Sequence, residues 1–118
     1  MKKEQRQVEA LYELLKEQAE IEKQISTLPV GYISVKVISG NTYTYRQWRD
    51  GKKIISQYVP ETHLNVVKRK IAARKEQELL LKAVKKDIKS ATRKVLKAEL
   101  LTEEEIAELK EKAKAEIQ

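Results

Sequence analysis

The sequence predicts an α+β fold in which helices flank a three-stranded antiparallel sheet. Between residues 31 and 59, apolar and polar side chains alternate as they do in half-buried strands. On either side of this segment, apolar residues recur every three or four positions, which is the period of a helix face. All three glycines fall within residues 31–59, at predicted strand ends and turns. We therefore expect one domain, residues 1–118, with an N-terminal helix, a β-meander, a long helix and a short C-terminal helix.

The N-terminal helix is predicted over residues 1–28, with its clearest amphipathic pattern from residue 3 to residue 26. Val8, Leu11 and Ile21 belong to an apolar stripe at helical spacing, and the remaining positions mix Glu, Gln and Lys. Pro29 ends the helix because a proline disfavours helical backbone at the residue before it.

Residues 31–59 are predicted to form the meander, with two short turns. Asp50–Gly51 is a strong signal for a two-residue hairpin turn, since a type I′ turn needs positive φ at both central positions. We place the first turn at Gly40–Asn41. The resulting cross-strand pairs are Tyr43 with Tyr58, Tyr45 with Ser56, and Trp48 with Lys53.

The two faces of this predicted sheet differ in composition. One face is rich in tyrosine and carries Ile38, Tyr43, Tyr45, Ile54 and Tyr58. The other face combines apolar side chains with basic ones and carries Ile33, Val35, Val37, Arg46, Trp48, Lys53 and Ile55. Neither face is purely polar, so the sequence leaves open which one is buried. Either the helices cover parts of both faces, or one face is a binding surface.

The long helix is predicted over residues 61–99, directly after Pro60, since proline is tolerated in a first turn. An apolar stripe that includes Val84, Ile88 and Val95 lies on one side of it. A basic stripe lies almost opposite and consists of Lys68, Lys75, Lys82, Lys86, Lys89, Arg93 and Lys97. The first turns carry a further apolar flank, made by Leu64, Val67 and Ile71, which we expect to contact the meander. The N-terminal helix is expected to pack antiparallel along this long helix.

The C-terminal helix is predicted over residues 103–117. Thr102 and Glu105 have the spacing of a capping box, and the acidic residues of the first turn suit the positive end of a helix dipole. Its apolar positions allow two arrangements. The helix folds back on the long helix as a hairpin, or it pairs with a second copy in an oligomer.

Catalytic chemistry has little support in this sequence, and we predict a non-enzymatic protein without a cofactor. The chain has no cysteine and a single histidine, His63, so a metal site or a nucleophile relay has too few partners. The glycines mark turns and a strand entry and form no phosphate-binding loop. No apolar run approaches the length of about 18 residues that would span a membrane, and we expect a cytoplasmic protein.

The charge of the chain favours a polyanionic partner. The net charge is +7, and charged residues make up 36% of the chain, against about 25% in an average domain. Residues 29–60 carry +4 and residues 61–98 carry +8, whereas both ends are mildly acidic. A basic chain of this kind suits DNA, RNA or a nucleoprotein complex.

The candidate nucleic-acid-binding residues lie in two groups. Basic and aromatic side chains alternate around the second hairpin, where rings can stack on bases and cations can neutralise phosphates. The alternative is ordinary strand composition with lysines that protect an edge. The basic stripe of the long helix could follow a phosphate backbone, or it is a solvated helix face. The predicted contacts are Arg46, Trp48, Arg49, Lys52, Lys53, Lys68, Lys75, Lys82, Lys86, Lys89 and Arg93.

Residues of the meander resemble a family of small uncharacterised proteins of bacteria and their mobile elements. The similarity covers about residues 10–85 and implies a helix, a meander and a long charged helix, with no activity to transfer. The matching residues are Gly31–Tyr32–Ile33–Ser34, Tyr43, Tyr45, Trp48, Arg49, Gly51, Lys52, Lys53, Ser56, Tyr58 and Val59.

The meander and its following helix are also similar to the arm-site DNA-binding domain of phage tyrosine integrases, in which the sheet enters a DNA groove. By position, this resemblance implies that Arg46, Trp48, Lys53 and Gln57 read the DNA. The chain departs from that family because no recombinase domain follows and because Ile33 and Val35 share the same face.

Two functions remain as hypotheses from the sequence. The first is a small basic nucleic-acid-binding accessory protein of a phage or mobile element. One version of it is an anti-CRISPR-like inhibitor of a host nucleic-acid-guided nuclease. The second is a coiled-coil module for protein–protein interaction that forms a homodimer through its helices.

Overall fold

The structure, a computed structural model, describes residues 3–117 and confirms the predicted order of elements. Helix α1 spans Lys3–Ser26, and strands β1, β2 and β3 span Tyr32–Ile38, Asn41–Asp50 and Lys53–Tyr58. Helix α2 spans Glu61–Lys97, and helix α3 spans Glu103–Ile117. Within these residues the architecture is α+β, with one antiparallel sheet in the order β1-β2-β3. No helix in the described range is long and apolar enough to cross a bilayer.

The chain divides into two compact units. The helical unit contains the described residues up to Ile25 and from Gln77 onward, and the sheet unit is Ser26–Glu76. Helix α2 contributes its first part to the sheet unit and the rest to the helical unit. The expectation of a single domain stays a prediction.

The core of the helical unit is built from all three of its helices. Leu11 and Leu15 of α1, Val95 of α2 and Ala113 of α3 form one buried cluster. Partly buried side chains that pack against this cluster are Tyr12, Ile88, Ala91, Leu100, Leu101, Ile106 and Leu109. The small side chain of Ala113 is fully buried, so α3 lies close to its neighbours. The three stripes therefore meet in a small three-helix core.

The directions of the three helices follow from the residues that meet. Gln7 and Ala10 of α1 line a cleft with Ser90 and Lys94 of α2. Glu4, Gln5, Val8 and Glu9 of α1 line another with Leu100, which follows α2. In this unit α1 and α2 are therefore antiparallel, as the sequence predicts. Helix α3 folds back, and it also packs along α1.

The contact between α1 and α3 ends in a polar cluster around Tyr12. The Tyr12 hydroxyl donates a hydrogen bond to the Glu116 carboxylate, and Lys16 and Lys112 lie 5.2 and 5.7 Å from the centroid of the Tyr12 ring. This hydrogen bond, helped by burial and by the charges of Glu116 and Glu13, raises the pKa of Tyr12 to about 12.

The junction between α2 and α3 follows local capping rules. Glu99 has a φ of 56°, and the amides of Leu100 and Glu99 donate to the carbonyls of Val95 and Leu96. This is the Schellman pattern, and it ends α2 at Lys97 rather than at residue 99 as predicted. The predicted capping box is present, since the Thr102 amide donates to Glu105 and the Glu105 amide donates to the Thr102 hydroxyl, at 3.0 and 3.1 Å.

Both hairpin turns lie one residue away from their predicted positions. The first is Ser39–Gly40, where both φ values are positive, as a type I′ turn requires. The second is Gly51–Lys52, where only Gly51 has positive φ, as in a type II′ turn. The predicted placement of Asp50 inside that turn is wrong because Asp50 pairs with Lys53 as the last strand position.

The shift of the turns changes the cross-strand pairs but not the faces. The three predicted pairs, Tyr43 with Tyr58, Tyr45 with Ser56 and Trp48 with Lys53, are wrong. The pairs formed are Tyr45 with Tyr58, Gln47 with Ser56, Trp48 with Ile55 and Asp50 with Lys53. A two-residue turn that moves by one position displaces each pair by two residues, and side chains alternate with a period of two. The composition of the two faces is therefore as predicted.

Gly31 allows the chain to enter the sheet. Its φ is +115°, and a Cβ at this position would clash with the main-chain carbonyl oxygen of Gln47. Only glycine avoids that clash, so the strand entry depends on this residue.

The remainder of the sheet unit buries few side chains. Val59, whose amide donates to the Thr44 carbonyl at 2.8 Å, and Ile71 of α2 are its buried apolar residues. Arg74 of α2 donates a hydrogen bond of 2.7 Å to the carbonyl of Leu28. The Arg74 contact involves the first part of α2, and much of the sheet is exposed.

Candidate nucleic-acid interface

We call the sheet surface that carries Arg46 and Trp48 the Trp face. The guanidinium carbon of Arg46 lies 3.9 Å from the centroid of the Trp48 ring. The same guanidinium donates to the Val30 carbonyl at 2.6 Å and to the Gln57 side-chain oxygen at 3.1 Å. Arg46 therefore joins β2 to β3 and to the segment before β1, and it covers one side of the Trp48 ring. The integrase resemblance assigns four residues to DNA reading, and three of them are in contact here, since Arg46 meets both Trp48 and Gln57.

A shallow cleft of about 260 Å³ lies beside Arg46 and is lined by both the sheet and the start of α2. Its lining residues are Arg46, Gln57, Tyr58, Val59, Pro60, His63 and Val67. The His63 side chain is exposed at its rim. Among the described residues, no group of three or more His, Cys, Asp or Glu side chains could hold a metal ion. The other ionisable side chains that line the cleft are Arg46 and Tyr58.

We call the opposite sheet surface the Tyr face, after Tyr32, Tyr43, Tyr45 and Tyr58. Tyr58 of β3 meets both tyrosines of β2, with ring centroids 6.5 Å from Tyr43 and 6.0 Å from Tyr45. The interplanar angles are 63° and 68°, so the rings meet edge to face rather than in a stack. Tyr58 is 55% exposed and Tyr32 is 50% exposed. The face therefore presents two aromatic rings, Tyr32 and Tyr58, to solvent, whereas Tyr43 and Tyr45 are partly buried.

The charges on the Tyr face are all positive. Lys36 of β1 reaches over the sheet, with its Nζ 4.9 Å from the centroid of the Tyr45 ring. Arg49 of β2 is exposed at the other end of the same face, beside Ile54 of β3. The register of the strands places no Asp or Glu on this face, since Asp50 lies on the Trp face with Lys53.

The structure distributes the predicted hairpin residues over both faces. Arg46, Trp48 and Lys53 lie on the Trp face, Arg49 lies on the Tyr face, and Lys52 is exposed in the turn. The predicted set therefore does not converge on one surface of the sheet.

The predicted helix residues are exposed in both units. Lys68 and Lys75 belong to the sheet unit. The others, which belong to the helical unit, are Lys82, Lys86, Lys89 and Arg93. None of these six has an ion-pair partner among residues 3–117. Their charge is available to solvent and counterions.

The net charge of the protein resides in one of the two units. Residues 26–76 contain ten basic and three acidic residues, which gives +7. The remaining sequence contains fifteen of each and is neutral. The whole excess of positive charge therefore belongs to the unit that carries the exposed aromatic sheet.

The predicted set of binding residues omits three exposed side chains of the Tyr face. Lys36, Tyr32 and Tyr58 are absent from it, although alternation along the strands places all three on the tyrosine-rich side. The signal that could have identified them is the alternation of side chains along β1 and β3, which places them on the tyrosine-rich side without knowledge of the register. The predicted set lies nearer the second turn because basic residues are clustered there in the sequence.

Comparison with known proteins gives a single finding about relatives. The family described as Domain of unknown function (DUF6788) matches residues 3–69, a range that contains α1, the sheet and the beginning of α2. No significant match is found among curated proteins or solved structures. The expected membership of an uncharacterised family is confirmed, and no relation to integrase arm-site domains is shown.

Proposed function

We propose that this chain, which belongs to the family described as Domain of unknown function (DUF6788), is a non-enzymatic nucleic-acid-binding protein. The observation that carries the proposal is the location of the charge. The sheet unit holds the full net charge of +7, and its exposed sheet surfaces combine basic side chains with aromatic rings. Phosphates are the polyanions that such a surface suits best.

The binding energy is expected to be largely electrostatic. Each phosphate that a Lys or Arg neutralises releases condensed counterions, so affinity falls steeply as salt rises. Arg49, Lys52 and Lys53 form a compact group at the second turn, and Lys68 and Lys75 add charge on α2 of the same unit. These five residues belong to the predicted set, and we assign them the main contribution.

Fluorescence anisotropy with labelled DNA and RNA, measured between about 50 and 200 mM salt, tests this proposal. The variant R49Q/K52Q/K53Q removes three charges from the sheet unit. The matched control, K82Q/K86Q/K89Q, removes three charges from the basic stripe in the helical unit. We expect the first variant to lower the slope of log K against log salt by about 2–3 and the control to lower it by less.

Two outcomes would contradict the proposal. Wild-type protein that binds neither DNA nor RNA at low salt excludes nucleic-acid binding of this kind. An unchanged slope in R49Q/K52Q/K53Q, together with a reduced slope in the control, would move the interface to the basic stripe of α2.

The biological setting stays a prediction from size and charge. An accessory role in a phage or mobile element and the inhibition of a host nucleic-acid-guided nuclease both require binding to nucleic acid or to a nucleoprotein complex. Co-purification from the native host, with and without nuclease treatment, distinguishes these settings. A partner that stays bound after nuclease treatment would indicate a protein contact.

A protein–protein interaction module is the second candidate, and one observation favours it. Leu79 and Leu80 of α2 are 70% and 47% exposed, and adjacent exposed leucines are typical of surfaces that meet a partner. Light scattering of the wild type and of Leu79→Glu tests whether this patch makes a homodimer. A monomer at all concentrations would exclude that arrangement.

A further inference from the structure

We propose that the Tyr face binds single-stranded nucleic acid, with an unpaired base stacked on Tyr58 and phosphates neutralised by Lys36 and Arg49. This inference rests on the proposed function and specifies both the strandedness of the ligand and the surface that binds it.

The arrangement of the rings suits unpaired bases. Tyr58 meets Tyr43 and Tyr45 edge to face at 6.5 and 6.0 Å, and it keeps 55% of its surface exposed. Tyr43 and Tyr45 are partly buried and Lys36 lies over the Tyr45 ring, so Tyr58 is the ring of this group that is open to a flat partner. Stacking between a base and an aromatic side chain tolerates any sequence, because every base has a π-face.

The rings are held in place by the sheet beneath them. Tyr45 and Tyr58 are directly paired across β2 and β3, and the neighbouring pair is joined by a hydrogen bond of 2.8 Å from Gln47 to Ser56. Side chains fixed in this way lose little conformational entropy when a base stacks on them.

The charges of the Tyr face match a phosphate backbone that passes over these rings. Lys36 holds its ammonium 4.9 Å from the centroid of the Tyr45 ring, and Tyr45 is the cross-strand partner of Tyr58, so a phosphate beside a base stacked on Tyr58 can be neutralised by Lys36. Arg49 adds a second cation further along β2, and no acidic side chain shares the face. Positive charge beside exposed rings is the combination that single-strand-binding surfaces use.

Duplex DNA fits this surface poorly. Bases in a duplex are stacked on each other, so their π-faces are not available to tyrosine, and recognition must read base edges in a groove. The side chains best suited to read edges lie on the opposite face, where Arg46 is bonded to Gln57 and Val30 and stacked on Trp48. The open face therefore offers stacking rather than edge reading.

The experiment compares Tyr58→Leu with Tyr58→Phe, which keeps the ring and removes only the hydroxyl. Affinities are measured for a labelled single-stranded oligonucleotide of mixed sequence and for the duplex of the same sequence. We expect Tyr58→Leu to weaken single-strand binding by about 5- to 150-fold and Tyr58→Phe to stay within about twofold of the wild type. We expect duplex affinity to be lower than single-strand affinity and unchanged in both variants.

Photocrosslinking provides a second measurement that does not depend on the stability of a variant. A single-stranded oligonucleotide with bromouracil is irradiated with the wild-type protein, and the crosslinked peptides are identified by mass spectrometry. Crosslinks in β3 at Tyr58 support the inference. Crosslinks confined to Trp48 or to helix α2 overturn it.

The outcomes separate this inference from the proposed function. If Tyr58→Leu binds the single strand as well as Tyr58→Phe does, while R49Q/K52Q/K53Q binds weakly, nucleic-acid binding stands and stacking on this face is wrong. Duplex binding that equals or exceeds single-strand binding also overturns the inference alone. A wild-type protein that binds neither ligand overturns both.

Discussion

The helical unit and the sheet unit of this protein differ in what they bury and in the charge they carry. In the helical unit, side chains from three helices form a buried cluster around Leu11 and Val95, and fifteen basic residues balance fifteen acidic ones. In the sheet unit, Val59 and Ile71 are buried, strand residues such as Val35 and Tyr58 are more than half exposed, and the net charge is +7.

This difference indicates that the two units have different tasks. Apolar burial stabilises a fold in proportion to the area removed from water, so the helical unit has the larger hydrophobic contribution. The sheet depends more on main-chain hydrogen bonds and on local contacts such as those of Arg46. Its exposed rings and cations add little to stability and are well placed for a ligand.

The largest expected effect comes from the same substitution made once in each unit. Val95→Ala removes a side chain that is 1% exposed, and it should lower the free energy of unfolding by about 2–4 kcal/mol because a cavity remains. Val35→Ala removes one that is 59% exposed, and it should cost about 0.5 kcal/mol or less. Urea unfolding of both variants measures the difference, and equal costs would refute the contrast in burial.

A second pair of variants tests whether the close contact at Gly31 is essential for the stability of the sheet unit. Gly31→Ala should cost about 2–3 kcal/mol, because the new Cβ meets the carbonyl oxygen of Gln47 and the φ of +115° is unfavourable for alanine. Gly40→Ala is the control, since its φ is +80° but a Cβ there has open space. Hydrogen exchange should show lost protection in β1 and β2 for Gly31→Ala and little change for Gly40→Ala.

A smaller, stabilising effect is expected at the end of α2. Glu99 adopts a φ of 56°, a conformation that glycine adopts without strain, so Glu99→Gly should raise the free energy of unfolding by about 0.5–1 kcal/mol. Glu99→Ala keeps a Cβ and should give no such gain. Thermal unfolding of the two variants distinguishes relief of backbone strain from the loss of a carboxylate.

The smallest effect is expected at the exposed Tyr12 cluster, and it depends on pH. The pKa of Tyr12 is raised from 10.0 to about 12 in the folded protein, so the unfolded chain loses its proton first as pH rises. The stabilisation by Tyr12 is therefore complete below pH 10 and is lost progressively towards pH 12.

The comparison of wild type with Tyr12→Phe isolates this contribution. Below pH 10 the variant should have a slightly lower melting temperature, and the difference should disappear as the pH approaches 12. Ultraviolet titration should show a late-titrating tyrosinate in the wild type and none in the variant. A difference in melting temperature that does not change with pH would assign it to packing of the ring alone.

Much of the fold could be predicted because it follows from local patterns. The capping box at Thr102, the start of α2 after Pro60 and the alternation along the strands depend on neighbours within a few residues. The end of α2 was misplaced because a glutamate rather than a glycine occupies the left-handed position. Each turn lies one residue from its predicted position because its glycine, Gly40 or Gly51, can serve as the first or the second residue of a hairpin turn.

The candidate site was only partly predictable for a different reason. The sequence shows which side chains are basic or aromatic, and clusters of them near Gly51 stand out. It does not show that Arg46 is hydrogen-bonded to Val30 and Gln57 and packed on Trp48. It also does not show that the Tyr58 ring contacts the Tyr45 ring. These are contacts between segments that are up to sixteen residues apart, and the strand register decides them.

The sequence by itself determined the α+β class, the order of the elements, the composition of the two sheet faces and the basic character of the middle of the chain. Periodicity and capping are local properties, and face composition survives a shift of the turns because side chains alternate with a period of two. Only the tertiary structure decided that α3 packs against α1 as well as α2, and that Arg46 of the Trp face is bonded to Gln57 and contacts Trp48 while Tyr32 and Tyr58 of the Tyr face are exposed. These features depend on contacts between residues that are distant in the sequence. The proposal that the Tyr face is the interface rests on them.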